Sequence, residues 1–399
     1  MSSATVTGGL GPLAGATAGG VRFAVPPLTE NAVAAATRAL RSGWVTTGPE
    51  CIAFEDELAA YLDQPYVVTV ASCTHALELS LRGLRLDPGS VVLTPSLTFC
   101  GAVAAIVHAG YRPALVDIDA DTLVPSPETV SEAVRRYGPP AAMVVCDMGG
   151  YPADTTALAA AANLPPHRVV VDAAHGPGGD VGKADTAAPP FATCLSFYAT
   201  KNLPIGEGGA IATHDEAFAT WVRSVRLHGM SRDAWRRYLP GGSWRYDVPE
   251  IGFKCNLTDL QAAIGRQHLL ALPQWQRRRA EIFARYDSAL AESVRRGDIV
   301  LPRRHGGHSM HLYQVRVRER DRVAAALAEA NIGTSVHFIP VHQLSAYARL
   351  LGPDAAAAVP ATEQVASELL SLPIYPDLSD QEVDVVAARL VDAVTTGAV

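Results

Sequence analysis

Between residues 66 and 213 short apolar runs alternate with longer amphipathic stretches. Residues 66–70, 90–93, 113–117, 142–146, 168–172, 193–197 and 209–213 have the length and apolar character of buried strands. Helical spacing follows Ser72 up to about Leu84, then begins again at Thr98 with Phe99 on the first turn. It recurs over 126–136 and 154–163. Strands alternating with helices predict an α/β fold whose mostly parallel sheet is covered on both faces. Ligands of such sheets sit outside the carboxyl ends of the strands. Ahead of this region, 26–42 reads as a helix with Thr29 as its N-cap, 42–49 as a loop and 50–62 as a second helix.

The pattern changes after Glu216. Residues 218–228 are helical, and 229–247 form a polar loop with several arginines. Residues 252–259 lead into a helix through Leu270, and Pro273 starts a separate long helix with Trp275, Ile282, Tyr286 and Leu290 on its apolar side. A strand at 311–317, a helix at 321–330, a strand at 334–338 and a helix at 380–393 complete a smaller α+β unit. The expected division is a disordered leader at 1–20, a large domain at 21–270 and a small C-terminal domain at 271–399.

Composition narrows the function. A net charge of -7 gives no basic footprint, which argues against nucleic acid as the main partner. The six cysteines are scattered without C-x-x-C or metal-ligand spacing, so they read as reduced thiols of a cytoplasmic protein rather than a disulfide framework or metal site. The small-residue leader lacks the basic start and apolar core of a signal peptide. No run suits a membrane span: the apolar stretch at 99–116 carries His108, Tyr111, Arg112 and Pro113.

Lysine is scarce, with only Lys183, Lys201 and Lys254 present. Lys201 ends an apolar and aromatic run and precedes the turn Gly206-Glu207-Gly208-Gly209. A surface lysine in a loop would fit locally. A partly buried lysine has a lowered pKa and a usable nucleophilic amine, as carbonyl cofactors require. Asp172 ends the all-valine strand before Ala173-Ala174-His175. It is either an N-cap or a carboxylate awaiting a cation such as a protonated pyridine nitrogen. The segment Ser72-Cys73-Thr74-His75 at a strand-to-helix turn is an anion cradle or an ordinary cap. The run Gly176-Pro177-Gly178-Gly179-Asp180-Val181 has valine where a dinucleotide fingerprint needs its third glycine. A phosphate cradle with Ser196 as a further hydroxyl, an aromatic face at Phe99, a carboxylate at Asp172 and an amine at Lys201 together describe a pyridoxal 5′-phosphate site.

From Val21 to Val391 the chain resembles the DegT/DnrJ/StrS family of fold-type-I sugar aminotransferases. The matching segments include S-G-W-V-T-T-G-P at 42–49, T-P-S-L-T-F at 94–99, V-D-A-A-H at 171–175, S-F-Y-A-T-K-N-L-P-I-G-E-G-G at 196–209 and L-T-D-L-Q-A-A-I-G at 257–265. V-H-F-I-P-V-H at 336–342 and L-P-I-Y-P at 372–376 also match. The resemblance implies that Lys201 holds the cofactor covalently and moves protons, and that Asp172 pairs with the ring nitrogen. His175 then lies near the phenolic oxygen, and Phe99 stacks on the ring. The Thr74 and His75 N–H groups and the Ser196 hydroxyl hold the phosphate. Asn256, or Lys254 beside it, reaches the phosphate of the neighbouring subunit of a homodimer. Trp44, His228 and His337 are candidates for the substrate mouth. The chain departs from the family pattern at Cys73, where glycine is usual, and at His75, where a small residue is usual. It also has Asp147-Met148-Gly149-Gly150 in place of H-L-Y-G, and Cys255 in place of a common tyrosine.

The implied reaction is a ping-pong transamination from glutamate or glutamine to a keto group of a nucleotide-linked deoxy sugar, with carbon 4 favoured, in amino-sugar or antibiotic biosynthesis. A cyclitol ketone is the nearest rival acceptor. A sugar dehydratase on this fold replaces the lysine by histidine, against which Lys201 stands. A cofactor-binding regulator would need a DNA-binding module that the leader does not offer.

Overall fold

The apolar runs assemble into one seven-stranded sheet. In chain order its strands are β1 (Tyr66–Val70), β2 (Val91–Pro95), β3 (Arg112–Val116), β4 (Ala142–Cys146), β5 (Val169–Asp172), β6 (Ala192–Ser196) and β7 (Gly209–Thr213). The computed structural model describes residues 20–181, 188–230, 241 and 246–396. The expected leader, apart from Gly20, and most of the 229–247 loop lie outside the described residues. Across the sheet the order is β1-β7-β6-β5-β4-β2-β3. β7 alone runs against its neighbours, and the other adjacent pairs are parallel.

Successive side chains of a strand point to opposite faces, so each strand feeds two cores. In β5, Val169 and Val171 pack with Phe54, Leu58 and Leu195. Val170 packs on the other face with Leu77, Val92 and Cys194. Burial of each such side chain contributes roughly 1.5–3 kcal/mol. Register pairs Cys146 with Asp172, and Asp172 with Cys194, so β4 and β5 end level and β6 runs two residues further, to Ser196. That register brings the polar residues at these strand ends to one edge.

A second, antiparallel sheet has the order β10-β9-β8, with β8 at Ile299–Val300, β9 at Tyr313–Val317 and β10 at Leu369–Leu372. It has its own core, built on Tyr286, Tyr313, Leu370 and Val386, which also takes in Val21 from the start of the described chain.

Two expectations change here. Pro273 does not begin a new helix: Asp259–Arg296 is one continuous helix with Pro273 inside it. The residue-270 division expected from sequence falls within that helix. Proline removes an intrahelical hydrogen bond. Packing outweighs that loss, because Leu269, Leu272 and Trp275 around it are buried in the large core. Residues 334–338 form no strand; only the bridge Ser335↔Ser371 remains. β10 takes the place beside β9, and His337 and Phe338 turn into a cavity wall instead.

Candidate active site

A cavity of about 480 Å³ opens at the carboxyl ends of the parallel strands, within the size range of small-molecule sites. Asp172, the last residue of β5, and Ser196, the last of β6, face it, as does Lys201 on the turn beyond β6. The Lys201 N–H closes that turn on the Tyr198 carbonyl at 2.9 Å. Cys73 and Thr74 line the cavity from the first turn of the helix Cys73–Gly83, which Ser72 caps.

Gly209 brings the β1 turn and β6 together. It is level with Val70 on one side and Ser196 on the other. A Cβ at this position would lie 2.5 Å from the Ser72 carbonyl carbon and 2.6 Å from the Cys73 nitrogen. The glycine is therefore required by close backbone approach, which puts the Ser72–Thr74 turn beside the Ser196 hydroxyl.

Burial dominates the electrostatics. It raises the Asp172 carboxyl above the usual range, opposed by the Ala174 N–H at 3.1 Å, by Lys201, and by the Cys73 thiol at 3.6 Å. Desolvation lowers the Lys201 amine, while Asp172 pulls it back up. An amine so placed loses its proton more readily than a surface lysine. Asp147, buried beside Asp172, is pushed up to about 7, mainly by desolvation.

Two imidazoles complete the wall. Nδ1 of His175 accepts the Gly149 N–H at 3.1 Å. A backbone N–H can only donate, so His175 carries its own proton on Nε2. Gly149 adopts φ +65, a conformation open to glycine, and a Cβ there would strike the Gln314 side chain at 2.5 Å. His311 packs on His175 with ring centroids 4.5 Å apart, and its Nδ1 lies 3.0 Å from Asn202 Oδ1. Asn202 sends its amide N–H groups to the Pro177 and Ser309 carbonyls, which leaves Oδ1 to accept from His311. Burial drives both imidazoles well below their ordinary pKa, so both are neutral at pH 7.

Of the residues singled out from sequence, Thr74, Phe99, Asp172, His175, Ser196, Lys201 and His337 meet in this cavity. His75 does not line it: its N–H donates to Ser72 Oγ at 3.2 Å and its ring Nδ1 lies 2.9 Å from the same hydroxyl. Helix capping thus takes the N–H group expected to face a phosphate. Asn256 is also outside the cavity, bonded to Lys254 and, at 2.6 Å, to Thr47. Trp44 sends its indole N–H to the Thr47 carbonyl at 3.2 Å, and His228 sits in a turn with its N–H on the Phe253 carbonyl at 2.6 Å; neither lines the cavity. Sequence reasoning passed over His311, Phe338 and Cys146, which do. The signal for His311 was a histidine leading into an apolar strand.

The residues present fit pyridoxal phosphate. The buried Asp172 carboxylate has a cavity but no protein cation bonded to it among the described residues. The cradle is held tight by a glycine that even a methyl group would displace. The amine and the carboxylate share one enclosure. Among the described residues no group of three or more His, Cys, Asp or Glu could hold a metal ion, and no helix is long and apolar enough to cross a membrane.

Comparison with known proteins agrees with this geometry. The model of the DegT/DnrJ/EryC1/StrS aminotransferase family matches residues 26–391. The spore coat polysaccharide biosynthesis protein SpsC of Bacillus subtilis is 38% identical over 381 residues, covering 93% of this chain and 96% of that protein. The PMP form of the putative sugar aminotransferase Spr1654 from Streptococcus pneumoniae superposes with a TM-score of 0.83 at 29% identity, over 94% of this chain and 99% of that one. S. venezuelae DesV, in complex with a ketimine intermediate, superposes with a TM-score of 0.79 at 33% identity, over 91% and 94%. This chain therefore belongs to the DegT/DnrJ/EryC1/StrS aminotransferase family and is a sugar aminotransferase that depends on pyridoxal phosphate.

Proposed function

We propose that the enzyme moves an amino group from glutamate or glutamine to a keto group of a nucleotide-linked deoxy sugar, at carbon 4, in amino-sugar or antibiotic biosynthesis. The observation that carries the transamination is the meeting of Lys201 and Asp172 in one enclosure. Relatives named for polysaccharide biosynthesis and sugar amination support the sugar acceptor.

Pyridoxal phosphate supplies a carbonyl that takes up the amine and a ring that withdraws electrons. Lys201 would hold that carbonyl, and its amine, with its lowered pKa, would be suited to taking up and returning a proton there. Asp172 would pair with the ring nitrogen and keep it charged. His175 would donate its Nε2–H to the phenolic oxygen. Phe99 would cover the ring, and the Thr74 N–H and the Ser196 hydroxyl would hold the phosphate. Phe23, Phe338 and His337 wall off water on the substrate side. Asn256, fixed by Thr47, is outside its own chain's cavity and serves the partner of a cytoplasmic homodimer.

The test is a half-reaction. Enzyme converted to the pyridoxamine form is offered keto-deoxy sugar nucleotides and inososes, and return of the aldehyde-form spectrum is read. Sugar nucleotides restore it. Recovery with inososes alone would replace the acceptor by a cyclitol, and failure of purified protein to take up pyridoxal phosphate would overturn the assigned site.

A further inference from the structure

The structure gives the Cys73 side chain a partner across the cavity floor. Its Sγ lies 3.6 Å from Asp172 Oδ1, the oxygen that also accepts the Ala174 N–H at 3.1 Å. Two donors fill the two lone pairs of Oδ1. Among the described residues no donor is placed on Oδ2. Cys73 and Asp172 are both buried, and both line the cavity.

We propose that Cys73 is a positioning residue that donates its S–H to Asp172 Oδ1, turning Oδ2 toward the cofactor ring and keeping the carboxylate ionised there. This rests on the proposed pairing of Asp172 with the ring nitrogen. The physical need is specific to this site. Burial favours an Asp172 that keeps its own proton, and a protonated Asp172 cannot hold charge on a pyridine nitrogen. A donor on the opposite oxygen favours the ionised form. Burial next to Asp172 and Cys194 holds the Cys73 thiol well above its ordinary pKa, so its proton is there to donate. A glycine at position 73 leaves Oδ1 with the Ala174 N–H alone.

The experiment uses the holoenzyme loaded with cofactor labelled with ¹⁵N in the ring, comparing the native chain with Cys73→Ala and Cys73→Ser. The ring-nitrogen NMR shift reports protonation independently of turnover. The native enzyme should show a protonated ring. Cys73→Ala should move the shift toward the unprotonated value and slow the glutamate half-reaction about tenfold, the scale of one hydrogen bond to a charged group. Cys73→Ser, which keeps a donor on the same carbon, should recover at least half of the change. An unchanged shift in Cys73→Ala, or equal effects of alanine and serine, would overturn the role of Cys73. An unprotonated ring in the native enzyme would instead overturn the Asp172 pairing itself. Cofactor content by absorbance confirms that each variant is folded and loaded.

Discussion

His175 and His311 lie with their ring centroids 4.5 Å apart and are held in opposite tautomers. The Gly149 N–H fixes the His175 proton on Nε2, and Asn202 Oδ1 fixes the His311 proton on Nδ1. One ring thus offers a donor and the other an acceptor from their free nitrogens. Asn202 follows Lys201 directly, so the same contact ties the Lys201 segment to the residues before β9.

Replacing His311 by phenylalanine keeps a ring against His175 but leaves the buried Asn202 Oδ1 without its donor. A stranded buried acceptor costs about 1–3 kcal/mol. His311→Phe should lower the urea midpoint accordingly. An unchanged midpoint would mean that the Asn202 contact contributes nothing.

Gly209→Ala should damage the cofactor site more than its size suggests. The added methyl meets backbone atoms of Ser72 and Cys73, which cannot rotate away as a side chain can. The β1 turn must move away from Ser196, and pyridoxal phosphate affinity should fall at least tenfold, about 1.4 kcal/mol. Equilibrium dialysis with the cofactor checks this.

Asp259 is buried, and its carboxylate takes the N–H groups of Gly48 at 2.7 Å, Cys51 at 3.0 Å and Glu50 at 3.2 Å. It joins the start of the helix Pro49–Leu62 to the start of the helix Asp259–Arg296. These are charge-assisted bonds at a helix N-terminus. Asp259→Ala should destabilise the protein by roughly 2–4 kcal/mol, because several buried donors lose one acceptor. Thermal unfolding measures it, and a change below about 1 kcal/mol would contradict the anchoring role.

Acid should weaken the cofactor-free protein. Burial lowers the pKa of His175, His268, His308, His311 and His337, with His308 and His337 near 4. Unfolded imidazoles protonate near 6.5, so between there and about 4 the unfolded chain binds more protons and stability drops as pH falls. Asp147, at about 7, and the raised Asp172 act oppositely, since the folded state keeps protons that unfolded carboxyls have released. The imidazoles outnumber them, each contributing up to about 1.4 kcal/mol per pH unit. Urea midpoints should therefore fall from pH 7 to pH 5. Asp147→Asn, which removes one opposing group, should steepen the fall. A flat profile would contradict the balance.

Local pattern alone determined the alternating strands and helices, because buried parallel strands are written as short unbroken apolar runs. It also singled out a candidate amine and carboxylate, which the family resemblance rather than the local pattern raised above a loop lysine and an N-cap. Lys201 is one of three lysines, and Asp172 is the one charge at the end of a valine run. Single residues misled where packing outweighs propensity. Pro273 looks like a helix start, yet the surrounding core holds the helix straight through it. His75 looks like a phosphate donor, yet Ser72 takes its N–H as a cap.

Only the tertiary structure could place His311 beside His175, set their tautomers through Asn202 and Gly149, or bring Cys73 against Asp172 from 99 residues away. Those relationships cross between elements distant along the chain. They depend on strand register and on one close backbone approach at Gly209, neither of which leaves a local signature in hydrophobic pattern or residue spacing.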